Sequence, residues 1–384
     1  MTISDIREVV RARAAQRRLQ REALGAPAIP PARVASVVTA ARRRLLGLHR
    51  RTAPPPVRVL EALFAQFDAH VLRAIVELDI PDELRGRTTV RELAGRIGCD
   101  PVALERLLRF AAARGMVSID RRGRVGPSGV TAALRSDAPA PWRGWVRFGA
   151  SEWFDAAWRR LGESTRPATP GAFELAHGVD FFAYTTSIDR AAGETFDQAM
   201  DAGATLQAIA LARTLGWDQV SSVCDVGGGS GAALDTLLRY HPSLRTTLFD
   251  LPEVVGRTPF GAGADAGHRS AVGGSFFEEV PAGHDRYLLL AIVHDWSDAE
   301  VVTILSNVSA AMGPDGEAVV VETVMEDHPT DDFASASDLM MFVLAAGRER
   351  TEAHYREVFD NAGLQIRERQ LLPTGATAFT LRRR

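Results

Sequence analysis

The sequence predicts an α/β protein in which a parallel, Rossmann-like sheet follows a mostly helical N-terminal domain. Three observations support this fold class. From residue 206 onward, short β-branched runs alternate with segments of helical period, as in a doubly wound sheet. Residues 57 to about 200 have helical patterning, and a glycine-rich turn follows the first strand of the later part. Ligands of such sheets bind beyond the carboxyl ends of the strands, where we expect the functional site.

Length and composition limit the possibilities further. The 384 residues suffice for two domains, and we divide the chain into residues 1–55, 56–200 and 201–384. No apolar run approaches the roughly 18 residues of a membrane span, and the N-terminus lacks the apolar stretch of a secretory signal. We therefore expect a cytoplasmic protein. Cys99 and Cys224 lie far apart without metal-ligand spacing, which suggests neither a disulfide framework nor a zinc site.

Residues 1–55 form a basic extension. Twelve arginines stand against three acids within residues 1–51, although the whole chain has a net charge of −3 and contains no lysine. Helices are predicted at residues 8–24 and 34–48, and RTAPPP, residues 51–56, predicts a linker because consecutive prolines interrupt a helix. Such an arm can bind nucleic acid or a membrane surface, or serve as a transit peptide. The general preference of the chain for arginine favours a solvated amphipathic extension instead.

The helical region contains a predicted winged helix-turn-helix. Thr89 and Glu92 indicate a capping box at the start of one helix, and Gly98 indicates its end. Asp100 then caps a second helix whose first residue is proline, where the missing N–H costs nothing. Residues 116–125 follow as a β-hairpin. Together these signals predict two helices and a wing.

Winged helices often bind DNA, so a DNA-binding regulator is one interpretation. The second helix carries Arg106, Arg109 and Arg114, but Glu105 and several leucines share its surface. No basic stripe results, which weakens this interpretation. It is kept as the alternative from a different functional class.

The α/β part begins with a glycine-rich turn. Its predicted strands and helices are residues 220–226, 232–239, 246–249, 286–293, 298–312 and 318–323. The first strand leads into VCDVGGGSG, in which Gly227 and Gly229 allow a tight turn and a close approach of the backbone to a ligand. The spacing also satisfies a loose dinucleotide fingerprint, so a nicotinamide dehydrogenase stays open.

Two acids distinguish these cofactor classes. Asp225 lies near the end of the first strand, where a carboxylate repels a pyrophosphate and favours a cation. Asp250 ends the next strand, at the position from which an acid reaches a ribose diol. Together they favour a charged, ribose-bearing, phosphate-free cofactor such as S-adenosylmethionine.

Several motifs occur together in a consistent order, namely DVGGGSG, FDLPEVV, GGSFFEEVP, HDWSD, VVVET and GRERTEAHYREVFDNAGL. The chain thereby resembles the class I S-adenosylmethionine-dependent O-methyltransferases of the caffeate and acetylserotonin type, including bacterial natural-product enzymes. The resemblance covers residues 57–384 and leaves the basic extension outside. It implies S-adenosylmethionine as cofactor, no metal, and an aromatic small molecule as methyl acceptor.

The resemblance also implies a set of cofactor-binding residues. They are Asp225, Gly227, Gly229, Asp250, Leu251, Ser275 and Phe276. The glycines would hold the methionine portion, Asp250 the ribose hydroxyls, and Ser275 with Phe276 the adenine. Many relatives carry aspartate where Ser275 stands, and a serine can still exchange one hydrogen bond there.

In the family the winged-helix domain dimerises and contributes to the acceptor pocket. The resemblance therefore implies a homodimer, with no nucleic-acid or membrane partner. Flexible thioethers and aromatic rings suit a flat acceptor. The expected pocket residues are Trp153, Phe182, Met200, Met340 and Met341. Asp197 stands where plant relatives often carry asparagine, which leaves acceptor contacts there open.

His294 is the expected general base. The predicted strand at residues 286–293 places it at the carboxyl edge of the sheet, and Ser297 with Glu300 predicts a capping box after it. A neutral imidazole suits the deprotonation of a phenol. Glu322, at the end of the adjacent strand, should lie beside it, and Glu349 matches a second acid of the family, so either could orient the imidazole.

The predicted function is methyl transfer from S-adenosylmethionine to a hydroxyl, expected to be phenolic, of an aromatic small molecule. Natural-product and antibiotic biosynthesis is the expected setting. Methylation of carbon or nitrogen, or a relative that has lost methyl transfer, is the alternative on the same fold.

Overall fold

The computed structural model describes residues 29–261, 268–330 and 333–384. The helix predicted at residues 8–24 lies outside these ranges. The chain begins with helices followed by a small hairpin. These elements are α1 (Ala32–Thr52), α2 (Pro55–Phe64), α3 (Gln66–Glu77), α4 (Ile80–Glu83), α5 (Val90–Ile97), α6 (Pro101–Ala113), β1 (Ser118–Ile119) and β2 (Val125–Gly126). In the described ranges, no helix combines the length and apolar character needed to cross a membrane.

The predicted helix at residues 34–48 is confirmed within α1, but the predicted linker at residues 51–56 is wrong in its extent. The helix α1 continues to Thr52 and α2 begins at Pro55, so the break is confined to the two residues between them. Proline is compatible with the first turn of a helix, because its missing N–H has no intrahelical partner there.

The winged helix-turn-helix forms as predicted. The Thr89 side chain accepts a hydrogen bond from the Glu92 N–H, and the Glu92 carboxylate accepts one from the Thr89 N–H at 2.9 Å. Gly98 ends α5 with a φ of 71°, a left-handed conformation that favours glycine. Asp100 caps α6, and Leu108 anchors that helix in the core of the module.

Two of the arginines on which the DNA-binding interpretation rests, Arg109 of α6 and Arg114 directly after it, form ion pairs with acids of the same chain. Arg114 Nε lies 2.9 Å from Asp68 Oδ1, and Arg109 Nη1 lies 4.0 Å from Glu105 Oε1. A DNA-reading helix offers its arginines to phosphates and bases instead. The packing of α6 thus gives no support to the DNA-binding alternative.

The helical part ends in a long helix that crosses residue 200. The elements after the hairpin are α7 (Gly129–Ala133), α8 (Arg143–Gly149), α9 (Glu152–Trp158), α10 (Leu161–Ser164), α11 (Ala172–His177), α12 (Phe181–Ala183), a π-helical turn (Tyr184–Ile188) and α13 (Arg190–Thr214). Gly144 of α8 allows the backbones of α8 and α13 to approach closely, because a Cβ on this residue would lie 2.5 Å from the Gln198 carbonyl oxygen of α13. The predicted division of the chain at residue 200 therefore falls inside a single helix.

The C-terminal part alternates strands and helices. Its elements are β3 (Ser222–Val226), α14 (Ala232–Tyr240), β4 (Arg245–Asp250), α15 (Pro252–Val255), β5 (Arg269–Gly273), β6 (Arg286–Leu290), a 3₁₀ turn (Val293–Asp295), α16 (Asp298–Ala311), β7 (Glu317–Glu322), β8 (Val324–Met325), α17 (Phe333–Ala345), β9 (Arg350–Thr351), α18 (Glu352–Asn361), β10 (Leu364–Leu371) and β11 (Thr377–Arg383). Within the described residues, seven of these strands form one sheet in the order β10-β11-β7-β6-β3-β4-β5.

The strands β3 to β7 are parallel, and β11 and β10 extend the sheet antiparallel to them. A hydrophobic core covers each face. Leu289 packs on one face with residues of α16 and α18, while Leu288 packs on the other with residues of α13 and α14. Each fully buried leucine contributes roughly 1.5–3 kcal/mol of hydrophobic free energy. The predicted Rossmann-like sheet is confirmed.

One predicted strand is too long. The strand β6 ends at Leu290, whereas the sequence predicts a strand over residues 286–293. Ala291 has a φ of 56°, and the chain then enters the 3₁₀ turn. The apolar run LLLAIV continues through both conformations, and Val293 in the turn is as fully buried as Leu288 and Leu289 in the strand. A continuous apolar pattern therefore cannot mark the end of this strand.

Candidate active site

His294 lies in the turn after β6, where it meets the segment that follows α17. Its carbonyl accepts a hydrogen bond from the Arg348 N–H at 2.8 Å. Gly347 makes this approach possible, because a Cβ there would lie 2.2 Å from the same carbonyl oxygen. The backbone of His294 is thereby fixed between two loops.

Three acids surround the imidazole. Its Nδ1 lies 3.0 Å from Glu349 Oε1 and 3.4 Å from Glu322 Oε2, and its Nε2 lies 3.6 Å from Asp295 Oδ1. The side chains of both glutamates are completely buried. Two carboxylates at Nδ1 keep a proton on that nitrogen. Nε2 is therefore the nitrogen that can take a proton from another molecule.

The two glutamates are held by hydrogen bonds of their own. Glu322 Oε1 accepts from the N–H groups of Ile292 at 3.0 Å and Val293 at 2.9 Å. Glu349 Oε1 accepts from the Ser337 hydroxyl at 2.7 Å. The second oxygen of each glutamate is buried without a hydrogen-bond partner among the described residues. Their lone pairs remain available to stabilise a positive charge on the imidazole.

Arg350, whose role was not predicted from the sequence, holds the turn in place. Its side chain is completely buried and donates to the carbonyls of Val293 at 2.8 Å and Trp296 at 2.7 Å. It also donates to Asp298 Oδ1 at 2.9 Å. In a chain this rich in arginine, its position beside Glu349 in GRERT was the one signal that could have identified it.

The acids change the protonation of His294. Burial alone lowers the pKa of the imidazole, but the charges of Glu322, Asp295 and Glu349 outweigh burial and raise that pKa to about 10. Burial in turn raises the pKa of Glu322 to about 7, against the lowering effect of His294. The protonation of His294 and that of Glu322 are therefore linked, because each charge changes the pKa of the other group.

The glycine turn after β3 lies beyond the carboxyl end of that strand, where parallel sheets of this kind bind ligands in a crevice. Gly227 has a φ of 75°, and a Cβ there would lie 2.6 Å from Ile292 Cδ1. The Gly229 N–H donates to Asp250 Oδ2 at 2.8 Å, and Asp250 Oδ1 accepts from the Leu251 N–H at 2.7 Å. Glycine is thus required for both conformation and space, and the acid at the end of β4 meets the turn.

The other predicted cofactor residues flank this turn. Asp225 is buried, and a Cβ on Gly228 would lie 2.8 Å from Asp225 Oδ2. Burial, followed by the charge of Asp250, raises the pKa of Asp225 to about 7. Ser275 and Phe276 follow β5, and the Phe276 ring lies 3.7 Å from the position of a Gly227 Cβ. The structure therefore brings these residues to one edge of the sheet.

Asp197 and Asp201 of α13 also face the glycine turn, and neither was predicted from the sequence to bind the cofactor. Asp201 accepts a hydrogen bond from the Ser230 hydroxyl. Burial raises the pKa of Asp197 to about 6, with Arg257 opposing and the charges of Asp201 and Asp250 adding to the rise. Helical patterning alone does not show which face of α13 meets the glycine turn, so Asp197 was considered only for acceptor contacts and Asp201 was not considered.

An aromatic wall connects the glycine turn with the helical domain. The rings of Phe182 and Trp296 are stacked, and Trp296 makes edge contacts with Phe276 at 5.7 Å and Phe277 at 4.8 Å between centroids. Phe276 is the residue expected beside adenine, and Phe182 is expected beside the acceptor. One continuous surface therefore links the two predicted subsites.

Four of the five predicted acceptor residues adjoin the same apolar cluster between the helical domain and α17. Trp153, Phe182, Met200 and Met340 are partly buried and pack against it. Met341 is buried elsewhere on α17. Consecutive residues of a helix point about 100° apart, which explains why the two methionines separate.

The imidazole and its two glutamates could also hold a metal ion. His294, Glu322 and Glu349 each offer one ligand atom, and these atoms lie within 4.8 Å of one another. Imidazole nitrogens and carboxylate oxygens are typical zinc ligands. The same three groups can instead act as a base with two orienting acids, and both uses depend on a neutral imidazole.

Two family models match the chain. A model described as an O-methyltransferase domain matches residues 158–365, which is more than half of the chain. A model described as an O-methyltransferase dimerisation domain matches residues 60–134. The winged-helix module lies inside the second match, and the crevice and His294 lie inside the first.

Individual proteins are similar over most of the chain. The O-demethylpuromycin-O-methyltransferase of Streptomyces alboniger is 36% identical over 338 residues, covering 84% of this chain and 87% of the relative. The solved structure of CalO1, a methyltransferase in calicheamicin biosynthesis in its S-adenosylhomocysteine-bound form, has a TM-score of 0.76 at 30% identity and covers 86% of this chain and 98% of CalO1.

A further solved structure is NcsB1, an O-methyltransferase from neocarzinostatin biosynthesis in complex with S-adenosylhomocysteine and 1,4-dihydroxy-2-naphthoic acid. It has a TM-score of 0.64 at 29% identity, covering 83% of this chain and 96% of NcsB1. These similarities extend through both the helical and the α/β parts of the chain. The matches therefore include the glycine turn, the turn that carries His294 and the helices beside them.

Proposed function

The chain belongs to the O-methyltransferase family, and we propose that it methylates a phenolic hydroxyl of an aromatic small molecule. The methyl donor is S-adenosylmethionine, and the proposed acceptors are intermediates of natural-product biosynthesis. The observation that carries the proposal is the imidazole of His294, whose Nδ1 is held by Glu349 and Glu322.

The residues around the glycine turn fit S-adenosylmethionine. Four buried or partly buried acids lie near it, namely Asp197, Asp201, Asp225 and Asp250. They would repel the pyrophosphate of a dinucleotide, whereas they suit a sulfonium and an ammonium group. Asp250 would hold the ribose hydroxyls, and Ser275 with Phe276 would border the adenine. When bound, the cofactor supplies an electrophilic methyl group on a good leaving group.

His294 prepares the acceptor for this transfer. Its Nε2 takes the hydroxyl proton, and Glu349 and Glu322 stabilise the imidazolium that forms. The ordinary pKa of a phenol is about 10, so an imidazole with a raised pKa accepts this proton at little cost in free energy. Arg350 and Gly347 act indirectly, because they position the turn that carries the base.

The proposed acceptor is flat and aromatic. The stacked pair of Phe182 and Trp296 and the nearby thioethers of Met200 and Met340 offer apolar faces beside His294. Puromycin and naphthoic-acid compounds occur in the names of the relatives, and both contain aromatic rings. Aromatic phenols of natural-product pathways are therefore the first acceptors to screen.

Binding of S-adenosylhomocysteine by calorimetry tests the cofactor site. We expect micromolar binding by the wild type and a loss of about tenfold or more in Asp250→Ala, since that acid would bond the ribose hydroxyls. Asp218→Ala, at an exposed position, is the matched control. A wild type that does not bind S-adenosylhomocysteine would refute the proposed function.

Transfer of a labelled methyl group to a panel of phenols tests the base. His294→Ala should lower kcat by about 10²- to 10⁴-fold, the usual contribution of a general base, without weakening S-adenosylhomocysteine binding. His268→Ala, at an exposed histidine, should behave as wild type. Transfer to a carbon or nitrogen acceptor in place of every phenol would replace the O-methylation proposal with its alternative.

The N-terminal helices support a homodimer. Among the described residues of α1 and α2, none is buried, and large apolar side chains face outward along both helices. The most exposed of these are Val37, Leu45, Leu48 and Val59, at 61–69%. The match to a dimerisation domain begins at residue 60, inside α2, so the last exposed apolar residues of this helix belong to the matched segment. A second copy of the chain is its proposed partner.

Light scattering after size-exclusion chromatography tests this arrangement. Val59→Asp combined with Leu63→Asp should shift the wild-type dimer towards monomer, because charges on the apolar surface oppose its burial. Val272→Asp, on the edge strand β5, changes an exposed apolar residue far from these helices in sequence and should leave the dimer intact. A dimer that persists in the double variant would place the interface elsewhere.

A further inference from the structure

Arg257 occupies a position beside the glycine turn that the proposed mechanism does not use. Its Nη2 lies 3.4 Å from Asp197 Oδ2 on α13. The next residue, Thr258, donates from its hydroxyl to the Ser230 carbonyl of the glycine turn at 2.6 Å. Arg257 therefore lies between α13 and the glycine turn.

Gly193 opens the space for this guanidinium. A Cβ at residue 193 would lie 3.3 Å from Arg257 Nη1 and 2.2 Å from the Thr185 carbonyl oxygen. A larger side chain on this turn of α13 would therefore meet the arginine. The absence of a side chain allows a cation from the loop after α15 to reach the crevice.

The N–H donors of Arg257 are not all paired with acceptors among the described residues. A guanidinium has five N–H donors in a planar fork. The ion pair with Asp197 is long, and Nε is buried without a hydrogen-bond partner in the described ranges. Buried donors are rarely left unpaired in a folded protein. A ligand that accepts hydrogen bonds would complete this site.

The surrounding charges restrict the chemistry of that ligand. Asp197, Asp201 and Asp250 lie nearby. Among the residues that the structure describes, Arg257 is the basic residue that forms an ion pair with one of these acids, Asp197. A ligand with a carboxylate alone would be repelled by three acids. A group that carries both an ammonium and a carboxylate satisfies the acids and the arginine together.

We propose that Arg257 binds the α-carboxylate of the amino-acid end of the cofactor and that Asp197 binds its α-ammonium. The proposal rests on the proposed function, because it concerns the same cofactor. Arginine forms bidentate hydrogen bonds with carboxylates, which gives both strength and orientation. Holding the amino-acid end would direct the sulfonium towards the acceptor side of the crevice.

Calorimetry with two ligands tests the assignment. The ligands are S-adenosylhomocysteine and its decarboxylated analogue, which keeps the amine and lacks the carboxylate. Arg257→Ala should weaken binding of S-adenosylhomocysteine by about 10- to 100-fold, the range of a charge-assisted hydrogen bond, and leave the analogue unaffected. Asp197→Asn should weaken both ligands. Arg190→Ala, which removes an exposed arginine from the start of α13, should weaken neither.

These outcomes distinguish a cofactor-binding role of Arg257 from a purely structural role. Equal losses for both ligands in Arg257→Ala, or no loss for either, would overturn it, while wild-type binding of S-adenosylhomocysteine would still support the proposed function. A wild type that binds neither ligand would remove both proposals. If Arg257→Ala does not fold, Arg257→Gln keeps most of the side chain without its charge and provides the same comparison.

Steady-state kinetics provide an independent readout. An arginine that binds the cofactor equally in the ground state and transition state changes KM for S-adenosylmethionine and leaves kcat nearly unchanged. We expect this pattern for Arg257→Ala. A fall in kcat with an unchanged KM would overturn the assignment.

Discussion

The ring of Phe182 stacks on the indole of Trp296, with centroids 5.3 Å apart and an interplanar angle of 15°. Phe182 belongs to the helical domain, and Trp296 belongs to the loop that carries His294. The stack joins the proposed acceptor wall to the turn of the proposed base. A change in either ring should therefore affect the acceptor more than the cofactor.

Phe182→Ala should raise KM for an aromatic acceptor by about 2- to 10-fold, since an aromatic pair contributes roughly 0.5–1.5 kcal/mol. The affinity for S-adenosylhomocysteine should stay unchanged. Steady-state kinetics and calorimetry measure the two effects separately. Phe333→Ala, at a side chain exposed by 65%, is the control. A matching loss of S-adenosylhomocysteine affinity would assign Phe182 to the fold and not to the acceptor.

The acids around His294 should set the pH dependence of methyl transfer. Because they raise the pKa of the imidazole, the neutral base is gained as pH rises through that pKa, and kcat/KM should increase from neutral to alkaline pH. Glu349→Gln removes a charge that stabilises the imidazolium, so the pKa falls. The rising limb of the pH profile should then move roughly 1–3 pH units lower.

The maximal rate of Glu349→Gln should also fall, because the imidazole loses one of its orienting acids. Glu326→Gln, at an exposed position, should leave the profile in place. A rising limb that remains at the wild-type pH in Glu349→Gln would show that this acid does not control the proton of His294.

Zinc should inhibit the enzyme by occupying His294, Glu322 and Glu349, whose ligand atoms lie within 4.8 Å. A metal binds the neutral imidazole, so inhibition should strengthen as pH rises. A chelator should restore activity, and Glu349→Gln should weaken inhibition because it removes one anionic ligand. Assays with increasing zinc at two pH values measure this. Inhibition of equal strength in Glu349→Gln would place the zinc elsewhere.

Ala346→Gly should stabilise the protein by about 1 kcal/mol, since a left-handed conformation costs a non-glycine residue roughly 1–2 kcal/mol and part of the gain is lost as chain entropy. Ala346 is exposed and has a φ of 55° directly after α17, where helices commonly end in glycine. Denaturant unfolding measures the gain. The neighbouring Gly347→Ala should have the opposite effect, because its Cβ would meet the His294 carbonyl.

Local signals in the sequence predicted much of the fold. The capping boxes of Thr89 and Ser297 depend on residues three positions apart, and both form in the structure. The position of Glu322 beside His294 followed from the pairing of adjacent parallel strands, and the two side chains lie 3.4 Å apart. These features depend on short-range geometry or on sheet order.

Other features depend on contacts between distant segments. The end of β6 at Leu290 is set by a turn that the apolar run hides. Arg350 reaches the carbonyls of Val293 and Trp296 across more than fifty residues, and Arg257 reaches Asp197 across sixty. In a chain whose basic residues are all arginine, neither could be recognised before its partners were placed.

The helix α13 has a consequence for building hybrid enzymes. It carries Asp197 and Asp201 towards the glycine turn and Met200 towards the aromatic cluster, and Gly144 fits directly against its backbone. A chimera that joins the helical domain of a relative at residue 200 would combine half of each helix and separate these groups. A chimera designed to exchange substrate preference between two enzymes therefore needs its junction outside Arg190–Thr214, so that the whole helix comes from one parent enzyme.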